Sequence, residues 1–337
     1  MDYAGRIVKV RGYLARHRIP SLAVSDLPNI FYLTGLREVE GVLMMTGKDA
    51  VFFASPLYHA EAVSAPAARQ GLVTIERFSP DALKTVVERS SRVGIFTAEV
   101  SAETFLRWKE KYAVECLPLP NFMRTIRAIK EEAEILVLKR AHRMAHRVMR
   151  KIRGLLRTGM TELDIAGEIH YHLRRMGGCR EAFAPVVAAG PNAAYPHHRP
   201  TRRRIREGEP VVVDLGVDVA GYKSDITWTL SVGALSPKFK RISALVRETR
   251  DSCIGRIAPG RKTAALYRYA VALLRREGYD RYFVHGLGHG VGIEIHEDPG
   301  LRPVSGEVFR KGMVVTVEPG VYLPGEGGVR WEETVFV

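Results

Sequence analysis

The sequence predicts an α+β protein in two parts: an α/β domain over residues 1–125 and an α+β domain over residues 126–337. Three observations carry this reading. A chain of 337 residues is longer than a single hydrophobic core usually organises. In the first part, short apolar runs alternate with helical patterns. In the second, helices come in pairs followed by runs of adjacent antiparallel strands, which argues against a doubly wound sheet. Pro118 and Pro120, followed by the acid-rich helix start Lys130-Glu131-Glu132-Ala133-Glu134, mark the boundary.

Taken in order, Asn29–Leu33, Gly41–Met45 and Ala50–Ala54 are short apolar runs bounded by turn residues and read as strands. Leu83–Ser90 and Ala102–Tyr112 read as helices, with a strand at Val93–Phe96 between them. The second part opens with an amphipathic helix in which Ile135, Leu138, Ala141, Ala145, Val148, Ile152 and Leu155 recur at helical spacing. A second helix starts at Thr161-Glu162-Leu163-Asp164, a capped beginning, and stops at Gly177-Gly178. Strands are expected at Phe183–Ala189, Pro210–Val217 and Tyr222–Val232. Helices follow at Lys238–Ile257 and Thr263–Arg276, then strands at Met313–Val317 and Gly328–Val337. No internal repeat is visible by eye.

The formal charge of +14 raises the question of a polyanionic partner. Residues 1–125 hold 16 basic and 13 acidic residues; residues 126–337 hold 35 and 24, so the excess lies in the second part. Between Lys139 and Arg157 stand eight cations and no acid, on a helix whose other face is apolar. A solvated helix face accounts for that run better than nucleic-acid binding does. The second cluster, Arg202, Arg203, Arg204 and Arg206, lacks the interleaved aromatics of a base-stacking surface. No nucleic-acid or membrane partner is expected: no apolar stretch approaches the ~20 residues of a membrane span. Charges scattered from Asp2 to Arg18 leave no room for a signal-peptide core. Cys116, Cys179 and Cys253 are too few and too far apart for a disulfide framework, so a cytoplasmic setting is expected.

The residues that carry chemistry are acids and histidines. Val211-Val212-Val213-Asp214 puts a carboxylate inside an apolar strand, where it needs a partner or a cation. Ser224-Asp225-Ile226-Thr227 repeats the feature across a turn. A hairpin folded between Val219 and Ala220 would set Asp214 directly opposite Asp225, with Cβ atoms about 5 Å apart. Carboxylates that close repel unless one is protonated or a metal lies between them. His285-Gly286-Leu287-Gly288-His289-Gly290-Val291-Gly292 and His296 then place three histidines in twelve positions among glycines, which suits close backbone approach at a site. Val317-Glu318 ends another apolar strand with an acid, and Arg330-Trp331-Glu332-Glu333-Thr334 brings two more.

In order and spacing, Asp214, Asp225, His289, Glu318 and Glu332 resemble the five metal ligands of the metal-dependent peptidases with the pita-bread fold, the group of methionine aminopeptidase, aminopeptidase P and prolidase. Phe183–Gly190 with Ala194-Tyr195-Pro196-His197-His198 is similar to that family's segment carrying a substrate-side histidine. Asn29–Gly35 and Ile126–Glu134 resemble the N-terminal domain and linker of its proline-peptidase branch. The resemblance implies a creatinase-like N-terminal domain and a pita-bread catalytic domain. It also implies two divalent ions, Asp225 and Glu332 bridging, Asp214 on one ion, and His289 with Glu318 on the other. A bridging hydroxide would attack the scissile carbonyl. The oxygen-rich donor set suits Mn²⁺ or Co²⁺, with Fe²⁺ or Zn²⁺ also compatible. By the same resemblance His197 and His296 hold the substrate and stabilise the oxyanion, and Glu318 shuttles a proton.

The implied function is hydrolysis of the bond before proline, most simply in Xaa-Pro dipeptides, with His285 and Arg302 contacting the substrate. Arg302 could bind the free carboxylate of a dipeptide, or be an ordinary surface arginine. The alternatives are an aminopeptidase P acting on longer peptides and, in another class, a non-catalytic module that binds nucleic acid or protein. A homodimer is expected from the same resemblance. The sequence departs from the family at Trp228, where an arginine is common, and at Glu333, which competes with Glu332 as a ligand but should point to the opposite face of its strand.

Overall fold

A computed structural model describes every residue except Ser91, Ala113, Gly178 and Cys179. Gly178 of the expected helix stop and Cys179 therefore lie outside the described residues. The chain forms two compact units, Met1–Arg127 and Ala128–Val337.

The first unit runs α1 (Tyr3–Arg16), β1 (Ser21–Val24), α2 (Leu27–Thr34), β2 (Gly41–Thr46), β3 (Ala50–Ala54), α3 (His59–Val63), α4 (Pro66–Arg69) and β4 (Thr74–Arg77). It continues through α5 (Pro80–Glu88), β5 (Arg92–Phe96), α6 (Ala102–Tyr112), β6 (Glu115–Leu119) and α7 (Met123–Ala128). One mixed sheet, ordered β4-β3-β2-β1-β5-β6, organises it, with β1 parallel to β5 and antiparallel to β2. Leu22, Phe52, Phe53 and Val93 are fully buried in it. The run Asn29–Leu33 is helical, not a strand. Asp26 caps the helix by accepting from the Asn29 N–H at 3.0 Å, Pro28 lies in its first turn, and Gly35 ends it at φ 81°. Caps at both ends outweigh the apolar composition that suggested a strand.

The second unit repeats one plan. The helix pair α8 (Glu132–Leu155) and α9 (Glu162–Arg175) leads into β7 (Arg180–Glu181), β8 (Val186–Ala189), β9 (Val211–Leu215), β10 (Val217–Val219), β11 (Tyr222–Lys223) and β12 (Ile226–Leu230). The pair α10 (Pro237–Ile254) and α11 (Thr263–Arg276) leads into β13 (Gly288–Gly290), β14 (Glu297–Leu301), β15 (Val314–Val317), β16 (Gly320–Leu323), β17 (Gly327–Arg330) and β18 (Glu333–Phe336). Each pair buries its apolar stripe on its own strands: Val148, Ile152, Ile165 and Ile169 against Val187, Val211 and Val213, and Ile242, Val246, Ala270 and Leu274 against Leu287, Val315 and Val317. This two-fold plan is carried by structure alone, since no matching sequence repeat accompanies it. Of the expected strand 183–189, only Val186–Ala189 joins a sheet there.

Helix α8 begins with a capping box between Glu131 and Glu134, so the acids crowded at its start serve the helix terminus. All eight cations between Lys139 and Arg157 are exposed, while Ala141, Ala145, Val148 and Ile152 are buried. The basic run is the solvated side of an amphipathic helix. Among the described residues, no helix is long and apolar enough to cross a membrane.

Candidate metal centre

The first two acids stand on the β9–β12 hairpin, but not as the sequence suggested. Ladder pairing sets Thr227 opposite Asp214, and Lys223 opposite Asp218, so the hairpin turns at Ala220-Gly221. Both turn residues have positive φ, 52° and 87°, as a two-residue turn matching the twist of the strands requires. The Asp218 carboxylate closes the turn by accepting from the Gly221 N–H at 2.9 Å. Asp225 therefore lies two residues from the position across from Asp214, a diagonal neighbour on the same face. The register shift is even, so the convergence survives the correction.

The remaining residues come from the second half of the unit. His289 sits in the middle of β13 between glycines that leave no room for side chains. A Cβ on Gly288 would meet the Thr316 carbonyl oxygen at 2.0 Å, and one on Gly290 the Asp298 carbonyl oxygen at 2.2 Å. The histidine is thus carried on a strand squeezed between neighbours, its N–H donating to Thr316 Oγ1 at 3.1 Å. Glu318 follows β15, with its N–H held by the Leu287 carbonyl at 2.8 Å. Glu332 lies between β17 and β18, and its N–H donates to the Thr227 carbonyl at 2.9 Å.

These elements bring the predicted residues together. Asp225, His289 and Glu332 present donor atoms all within 4.8 Å of one another. His289 Nε2 is 3.4 Å from Glu318 Oε1 and 3.6 Å from Asp225 Oδ2. Asp214 Oδ2 accepts from Arg330 Nη2 at 2.6 Å. The His296 ring lies edge-on to His289, with centroids 4.4 Å apart. His285 Nε2 is 2.8 Å from the Tyr322 hydroxyl, which in turn accepts from Arg330 Nη1 at 3.0 Å. Arg302 is exposed and lies over Gly286 and Gly300, and His197 is exposed on the loop before β9.

Electrostatically the cluster is unbalanced. Burial first, then the charges of Glu332, Asp214 and Glu318, pushes the Asp225 carboxyl well above its ordinary range. Burial, with Glu318 and Asp214, does the same for Glu332, and burial raises Glu318. Burial also holds His285 and His289 below the usual imidazole range. For His296, burial and then the neighbouring His289 and His197 bring the value to about 4. Asp214 Oδ1, Asp225 Oδ1 and Glu332 Oε1 are buried and have no hydrogen-bond partner among the described residues. Acceptor oxygens buried without donors are costly. Several of them facing an imidazole whose pKa is lowered by burial fit the coordination demand of hard divalent cations.

A profile of the family described as metallopeptidase family M24 matches residues 137–337. The chain belongs to metallopeptidase family M24. Residues 6–129 match the creatinase/prolidase N-terminal domain. The Xaa-Pro dipeptidase of Pyrococcus horikoshii is 30% identical over 334 residues, spanning 98% of this chain and 94% of that protein. Among solved structures, the prolidase from P. horikoshii OT3 matches with a TM-score of 0.93 at 30% identity, over 99% of this chain and 95% of that one. An Xaa-Pro dipeptidase from Bacillus anthracis gives a TM-score of 0.93 at 29% identity, over the same 99% and 95%.

In this M24 chain Tyr322, Arg330 and Glu162 support the site without being evident from the sequence. Arg330, quoted only as the start of an acidic motif, is buried and reaches Asp214, Tyr322, the Pro196 carbonyl and Thr227 Oγ1. A lone cation ending an apolar strand beside several acids was the available signal. Glu162, read only as part of a helix start, is fully buried under the loop that carries His197. Its carboxylate accepts from the Ala189 N–H at 2.8 Å, the Thr201 N–H at 2.9 Å, Thr201 Oγ1 at 2.6 Å and Asn192 Nδ2 at 2.9 Å, with His198 Nε2 at 2.9 Å. Burial opposes its charge, but these bonds prevail and lower its pKa. Glu162→Ala should therefore destabilise the unit by roughly 3–5 kcal/mol, the scale of breaking a buried charged network. Denaturant unfolding measures this, and an effect under about 1 kcal/mol would show the network to be incidental.

At the family departures, Trp228 packs beside Trp331 with centroids 6.2 Å apart, and Arg153 lies over its ring. Glu333 turns away from the Glu332 cluster and meets His142 and His146 of α8.

Proposed function

We propose that the chain is a metal-dependent peptidase that hydrolyses Xaa-Pro dipeptides, with Asp214, Asp225, His289, Glu318 and Glu332 holding two divalent ions, Mn²⁺ or Co²⁺. The observation that carries this reading is the set of buried, donorless carboxylate oxygens gathered around His289. Its support for substrate is the likeness, over nearly full length, to Xaa-Pro dipeptidases.

When bound, the ions supply Lewis acidity and a water acidic enough to act at neutral pH. The chain's own residues do the rest. Hydrolysis adds one water across the amide: oxygen to the carbonyl carbon, a proton to the departing prolyl nitrogen. Glu318, whose carboxyl is raised by burial, is suited to hold and deliver that proton. His296, whose pKa burial lowers to about 4, can donate a hydrogen bond to the developing oxyanion, and His197 can donate another. Tyr322 and Arg330 fix His285 and Asp214 in place. Arg302, exposed beside this cluster, suits a free C-terminal carboxylate.

With Mn²⁺ or Co²⁺ added, Gly-Pro and Met-Pro should be cleaved faster than Xaa-Pro-Xaa tripeptides. Robust tripeptide cleavage with inert dipeptides would transfer the chain to the aminopeptidase P reading. We further infer a homodimer, from family resemblance, and a reducing cytoplasmic setting, which the unpaired Cys116 and Cys253 suit.

A further inference from the structure

We propose that His142, His146 and Glu333 form a third divalent-cation site, of the zinc class, separate from the five-residue cluster. His142 and His146 stand one turn apart on α8 and so share a face. Glu333, the first residue of β18, meets them from across. His142 Nε2 and Glu333 Oε1 are 3.0 Å apart, His146 Nε2 and Glu333 Oε1 3.2 Å, and the two Nε2 atoms 3.1 Å. The three donor atoms form a near-equilateral triangle. Ligands at about 2.05 Å from a tetrahedral zinc ion are separated by about 3.3 Å, so this triangle is close to one face of such a tetrahedron.

Two imidazole nitrogens that approach to 3.1 Å repel unless something positive lies between them. Protons can relieve the three edges only pairwise, whereas one cation capping the face engages all three lone pairs. Two histidines and a glutamate are also the donor set of known three-ligand zinc centres, which leave the fourth position to water. That position is accessible here, because the side chains of His142, His146 and Glu333 are 17%, 20% and 28% exposed. The His146 ring faces Trp228, and the His142 ring faces Phe336, each edge-to-face, so both imidazoles are held by packing. The nearby cations Lys139 and Arg153 are drawn onto the faces of Phe336 and Trp228.

The site is separate from the other cluster because Glu332, just before β18, and Glu333, its first residue, send their carboxylates to different partners. Glu332 Oε2 accepts from Thr227 Oγ1 at 2.8 Å on one side, while Glu333 reaches α8 on the other.

Equilibrium dialysis of the full chain against micromolar Zn²⁺, with metal counted by mass spectrometry, tests the proposal without reference to peptidase activity. Wild type should bind about one Zn²⁺ per chain more than the His142→Gln/His146→Gln variant, glutamine keeping the size and a hydrogen bond to Glu333. Equal counts in folded proteins would overturn the site. Should the double variant not fold, carbethoxylation of wild-type histidines decides instead. Zn²⁺ should protect the peptide bearing His142 and His146 several-fold, and undiminished labelling would reject the proposal.

Discussion

The Asp225→Asn variant is expected to lose at least about 10³-fold in kcat/KM, since on the proposed reading Asp225 would hold the metal ions and several kcal/mol of charge stabilisation would go with it. The change is nearly isosteric, so packing is conserved and the loss is electrostatic. The same substitution should have the opposite sign on the stability of the metal-free protein. Asp225 is 6% exposed and surrounded by Glu332, Asp214 and Glu318, so an uncharged amide relieves repulsion that the wild type meets only by taking up a proton. Metal-free Asp225→Asn should thus melt above metal-free wild type while binding less metal. A variant with wild-type turnover would remove Asp225 from the metal centre, and one that melts lower when metal-free would mean that its charge is compensated locally.

Chelation should lower the melting temperature, and by more at higher pH. Each ion held at 100 times its Kd contributes about 2.7 kcal/mol, or about 5–10 °C for a unit of this size. Asp225, Glu318 and Glu332 have folded-state pKa values raised by burial above the ordinary carboxylate range. Their contribution to the metal-free fold is complete below about pH 4, where both states are protonated. It falls as pH rises through the folded values, because the unfolded chain has already released those protons. Metal binding needs these groups ionised and so expels the protons. The gap between loaded and chelated protein should therefore widen from pH 5 to 8. Groups with lowered values, such as Glu162, are present in both forms and cancel in the difference. A gap independent of pH over that range would contradict the raised values.

Much of the site was legible because its chemistry is written in local contrast: Asp214 within valines, Glu318 after an apolar strand, histidines among glycines. Such contrasts need no tertiary information. What could not be read were quantities fixed by the backbone or by distant partners. The hairpin register depended on which residues adopt positive φ, and Ala220-Gly221 rather than Val219-Ala220 provided them. The segment Asn29–Leu33 has strand-like composition, yet its state was decided by Asp26 and Gly35 outside the run. Glu162 and Arg330 look ordinary in sequence, and their importance comes from partners up to 39 and 134 residues away. The basic run on α8 drew attention by composition, and all of it lies on the exposed side of an amphipathic helix.

The turn at Ala220-Gly221 makes the centre sensitive to parity. Between Asp214 and Asp225, gain or loss of two residues would keep both acids on the same face of the sheet. Gain or loss of one residue would rotate Asp225 to the back of the sheet and bury a carboxylate against α8 and α9. Length variation among functional descendants of this hairpin should accordingly come in even steps, unless a bulge restores the count.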